Sequence, residues 1–111
     1  MNRNKLIDTF IGNISNVIVH EILKMAIDDE AIRSRYAKEL ATSMKTALEY
    51  REKINPINSK LQEKDINYIR DKIIKRVTSK LLNRVDEGYK NINLDLIEII
   101  SDKYLKEAKI I

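Results

Sequence analysis

Residues 7–26 read IDTFIGNISNVIVHEILKMA, and the spacing of their apolar side chains decides the fold. Ile7, Phe10, Ile11, Ile14, Val17, Ile18, Ile22 and Met25 recur at intervals of three and four, the period of a helix with one buried stripe. Val19, Leu23 and Ala26 fall on other faces, so the second half of this helix should be covered on more than one side. The spacing predicts helix 1 over residues 4–27.

Asp28 is the expected N-cap of the next helix, with Ile27 and Ile32 as a hydrophobic staple across it. Helix 2 is expected over residues 29–54, its stripe formed by Ile32, Tyr36, Ala37, Leu40, Met44, Ala47 and Leu48. The Asn55-Pro56 pair stops it, because proline disfavours helical geometry in the residue before it. Ser59 and Gln62 have the spacing of a capping box, which predicts helix 3 over residues 60–87 with a core row of Ile66, Ile69, Ile73, Val77, Leu81 and Val85. Gly88 suits its C-terminal stop. Asn93 caps helix 4, expected over residues 94–109, which should bury Leu94, Ile97, Ile100, Tyr104, Leu105 and Ala108.

A helix of about 25 residues is ~37 Å long, and such rods need partners along their length. Short links favour antiparallel neighbours. The expected fold is therefore all-α, a single domain over residues 1–111 forming an antiparallel up-down bundle of about four helices, two or three of them long. Two glycines and one proline leave little of the turn chemistry that a sandwich or barrel requires.

The chain has no cysteine, which removes disulfides, thiolate metal sites and thiol nucleophiles from consideration. Its one histidine, His20, lacks a second histidine or glutamate at the spacing of a zinc helix. Asp28, Asp29 and Glu30 point in different directions at a helix start, where capping already accounts for them. There is no glycine-rich phosphate loop. No enzymatic activity, cofactor, metal or small-molecule substrate is expected. No apolar run approaches the roughly 20 residues that span a bilayer, and Asp8, Asn13, Ser15 and Asn16 make the segment after MNRNK too polar for a signal peptide. A cytoplasmic protein without membrane contact is expected.

Two polar features stand out. Glu21 falls inside the apolar stripe of helix 1, and a helix 1–helix 2 hairpin would bring Arg33 or the Tyr36 hydroxyl within about a turn of it. A Glu21–Arg33 pair is the expected structural partner. The second feature is basic: residues 51–84 hold ten basic and four acidic side chains, a net +6, and the remainder eleven against thirteen, a net −2. Within that segment Lys72, Arg76, Lys80 and Arg84 recur every four residues, a spacing at which like charges repel by roughly 0.2–0.5 kcal/mol per pair. Helical handedness should turn the acids of helix 4, Asp95, Glu98 and Asp102, away from this row. The same construction turns Tyr36, Ser43 and Tyr50 of helix 2 toward it.

These features support two functional expectations. The first is a non-enzymatic helical interaction module, a small self-associating subunit or adaptor, forming a homodimer or docking on another protein; Ile99, away from the helix 4 stripe, points that way. The second is a nucleic-acid-binding domain that sets Lys72, Arg76, Lys80 and Arg84 on phosphates beside Tyr36 and Tyr50.

Overall fold

A computed structural model describes residues 2–56 and 59–111. Among them are four α-helices and no strand: α1 (Arg3–Ala26), α2 (Glu30–Ile54), α3 (Glu63–Asp86) and α4 (Ile97–Glu107), with a 3-10 turn at Leu94–Leu96 before α4. The chain runs up, down, up and down in a body of 40 × 23 × 22 Å.

α1 is the axis of the bundle. Phe10, Ile14, Val17, Ile18 and Leu23 are fully buried, and Ile7, Ile11, Val19 and Ile22 nearly so. That ring of apolar side chains is broader than one neighbour can cover, so α1 packs against α2, α3 and α4 together. α2, by contrast, leans on α1 and has almost no contact with α3 or α4. By length and hydropathy α1 would also suffice to cross a membrane, a property that its interrupted polar residues conceal, but 61% of its most apolar window is buried within the bundle.

The helix ends show where local chemistry and expectation part. Asp29, rather than Asp28, caps α2, accepting a hydrogen bond from the Ile32 amide at 3.1 Å. α3 begins at Glu63, three residues later than the capping-box spacing suggests. Gln62 makes no side-chain cap there, and the Ser59 amide instead donates to the Pro56 carbonyl at 2.8 Å. At the other end of α3 the Tyr89 amide bonds the Arg84 carbonyl and the Gly88 amide the Val85 carbonyl, both at 3.0 Å. This is a Schellman closure, and Gly88 supplies the φ of 100° that it needs. Asn93 accepts from the Asp95 amide at 3.0 Å, which tightens residues 94–96 into the 3-10 turn and leaves Leu94 exposed rather than buried.

The largest fully buried side chain belongs to Arg51. Its Nε donates to the Ala108 carbonyl at 3.1 Å and its Nη2 to the Lys109 carbonyl at 2.9 Å, while Nη1 reaches Oδ1 of Asn55 at 2.5 Å and the Asn55 carbonyl at 3.3 Å. Asn55 ends α2, and Ala108 and Lys109 end α4. One guanidinium therefore gathers the negative ends of two helix dipoles. Burial pulls its pKa down from the ordinary value, and carbonyl oxygens take the place of a carboxylate. Lys109 holds a left-handed φ of 61° in the α4 closure, where its carbonyl meets that guanidinium.

Arg51→Met should destabilise the fold by about 3–5 kcal/mol, because it strands buried carbonyls at two helix ends. Arg51→Lys should recover only part of this, since an ammonium cannot span both ends with a planar fork. Urea unfolding followed by circular dichroism measures both; a loss below about 1 kcal/mol for Arg51→Met would show that the ends do not need their cap.

Candidate anion-binding surface

α3 runs parallel to α1, and the register between them is constant. Lys80 Nζ bonds Asn16 Oδ1 at 2.6 Å. One turn earlier Arg76 Nη1 lies 3.5 Å from the position that a Cβ on Gly12 would occupy. Asp8 and Lys72 share the wall of a cleft a turn before that, and Arg84 lies close enough to His20 to lower its pKa. The four bases of α3 thus stand opposite Asp8, Gly12, Asn16 and His20, the polar flank of α1, each paired position repeating every four residues.

Lys72 and Arg76 are exposed, while Lys80 and Arg84 are half-buried. Among the described residues only Arg84 of the four meets a carboxylate, Glu87 at 3.6 Å. Arg84 also reaches the Tyr89 hydroxyl at 3.3 Å and lies 5.2 Å from the centroid of that ring. Burial, then Arg76 and Arg84, push the Lys80 ammonium below its ordinary pKa. The acids of α4 do miss the row: Asp102 pairs with Arg70 through bonds of 2.9 and 3.3 Å, and Asp95 and Glu98 are exposed. Arg70 lies on the flank of α3 that faces α4, on the other side of its core stripe.

The tyrosines expected beside the row are placed otherwise. Because α2 covers a different side of α1, the thickness of α1 separates most of α2 from α3. Tyr36 is buried, with its hydroxyl beside Tyr89; burial and that neighbour raise its pKa, and no face is left for a base to stack on. Tyr50 is half-buried, with Lys53 Nζ 4.8 Å from its ring centroid, and does not join the row.

Besides Tyr89 at its Arg84 end, the row is accompanied by Tyr68, one turn before Lys72, whose Nζ lies 5.8 Å from the ring centroid. Tyr68 donates a hydrogen bond to Asp8 Oδ1 at 3.1 Å. With Ile11, Lys75 and Arg76 these residues line an open cleft of about 540 Å³ between α1 and α3. Tyr68 and Lys75 were legible in the sequence, at spacings of four and three from Lys72, but a row defined only by steps of four passes over both.

The Glu21–Arg33 pair is not formed. Glu21 is buried and binds Lys24 Nζ at 3.1 Å within its own helix, whereas Arg33 is exposed. The Tyr104 phenol is pushed up to about 12, by burial first and then by the negative charges of Glu21 and Glu107. A lysine three residues on satisfies the carboxylate locally, so the hairpin need not supply an arginine. Among the described residues no cluster of three or more histidine or carboxylate side chains could hold a metal.

His20 ties the polar flank of α1 to α2. Its Nε2 lies 2.9 Å from Glu39 Oε2, and its ring packs on Tyr36 with centroids 5.6 Å apart. Burial lowers its pKa below the ordinary 6.5, with Arg84 and Lys80 adding to the effect and Glu39 and the Asn16 backbone opposing it. A lowered folded-state value means that the unfolded chain takes up the proton first. The stability that His20 contributes is complete above pH ~6.5 and is lost as pH falls through the folded value. Replacing His20 by Gln should flatten the fall in stability between pH 7 and 5; an offset from the parent that stays constant across that range would contradict the assignment.

No protein-family model, no curated protein and no solved structure matches the chain.

Proposed function

We propose that this chain is a non-enzymatic helical interaction module that self-associates through the outer face of α4. The observation that carries the proposal is Ile99, which is 66% exposed in the middle of a polar helix face. Leu82, Val85 and Leu94, also exposed, belong to the same α3–α4 hairpin. Met25, Tyr68 and Ile111 are exposed elsewhere, but Ile99 is the most exposed of the large apolar side chains among the described residues.

The face around Ile99 is self-complementary in charge. Asp95 precedes it by one turn, and Lys103 and Lys106 follow. A second copy laid antiparallel along α4 would set each Ile99 against its mate and each Asp95 opposite a Lys103, as a two-fold interface requires. Rim charges of this kind fix register more than they add affinity.

A second reading draws on a different observation. Lys72, Lys75 and Arg76 meet no carboxylate within ion-pair distance among the described residues, which suits binding to nucleic-acid phosphates. It calls for a base-stacking partner other than Tyr36 or Tyr50.

Sedimentation velocity over a range of concentrations tests the first reading. The parent should form a dimer, and Ile99→Ser should weaken it at least tenfold, about 1.4 kcal/mol. A parent that sediments as a monomer at every concentration, or a dimer indifferent to Ile99→Ser, would remove this reading.

A further inference from the structure

We infer that the α1–α3 cleft binds one nucleotide unit, its phosphate held by Lys72, Lys75 and Arg76 and its base laid against Tyr68. The inference rests on the second reading above and is independent of self-association.

Three cations converge on an opening of about 540 Å³, a size within the ordinary range for small-ligand sites. Lys72 and Arg76 are i,i+4 neighbours with Lys75 beside them, so their mutual repulsion opposes the helix unless an anion enters. The single acid in the wall, Asp8, accepts a hydrogen bond from Tyr68, which holds the ring at the mouth of the cleft. Tyr68 is 44% exposed, with the Lys72 ammonium over its ring and its hydroxyl bonded to Asp8, so part of the side chain is accessible to a base. Base–aromatic stacking beside phosphate-binding cations is the usual means of holding single-stranded nucleic acid.

Gly12 adds an independent observation. A glycine inside a helix costs roughly 0.5–1 kcal/mol relative to alanine, and here a Cβ would meet only Arg76 Nη1 at an ordinary contact distance of 3.5 Å. The packing does not demand glycine, and without a Cβ the Arg76 guanidinium lacks that one contact.

The test is fluorescence anisotropy of labelled ten-nucleotide dT at low salt, with inorganic pyrophosphate and ATP as competitors, on the full chain with folding checked by circular dichroism. The parent should bind the strand. The triple variant Lys72→Gln, Lys75→Gln, Arg76→Gln should lose at least tenfold in affinity and reduce the salt slope by about 0.7, the value for one phosphate contact on a single strand. Tyr68→Leu should weaken the strand and ATP but leave pyrophosphate unchanged, and Tyr68→Phe should bind like the parent. Competition by ATP at micromolar levels identifies a free nucleotide as the source; strand binding without it identifies a nucleotide within a chain, and either supports the cleft. If the strand binds but the triple variant matches the parent while Lys80→Gln, Arg84→Gln loses affinity, the second reading stands and the cleft does not. If nothing binds the parent at low salt, both fall.

Discussion

The constraint on which the structure depends is the breadth of the apolar surface of α1. Residues at nearly every angle around it, from Phe10 to Leu23, are inaccessible to water. Two helices cannot enclose such a rod, so α2, α3 and α4 are all recruited to it. Only one flank, Asp8, Gly12, Asn16 and His20, remains polar, and it meets the bases of α3. The position of the basic row is thus a consequence of how the core is closed.

Arg51 solves the problem that this arrangement creates at the end of the bundle where α2 and α4 finish. Two helix C-termini there present carbonyl groups that lack intrahelical partners, and burying them unpaired would cost about 1–3 kcal/mol each. A planar guanidinium with five donors reaches both ends at once. It also accounts for the left-handed Lys109, whose carbonyl the closure turns toward Nη2. His20 plays a smaller part at the opposite end, joining α1 to α2 through Glu39.

The helical periods of α1 and α3 made the fold class and most of the core legible in the sequence. Val19 and Leu23 lie off the main stripe of α1, and both are buried as that placement implied. Gly88 and Asn93 end and begin helices as their chemistry suggests. The faces that meet between helices were less legible, because flank geometry treats neighbours as equal rods, whereas α1 lies between α2 and α3. Hence Tyr50 does not flank the row, Tyr36 meets only its Arg84 end through Tyr89, and Glu21 finds Lys24 before Arg33. Arg51 was counted with the surface charge: nothing local distinguishes an arginine that caps a helix 57 residues away. Of the basic surface, the row itself was visible, while Lys75 and Tyr68 became relevant only once the cleft with α1 had been seen.

Native-state hydrogen exchange tests the axial role of α1 most directly. Amides from Phe10 to Leu23 should exchange only through global unfolding, with the full stability of the protein, while those of α2 before its Arg51 cap, which pack chiefly on α1, should open at lower free energy. Exchange of α1 through a partial opening, with α2 still closed, would contradict this: the bundle could not then be organised around α1.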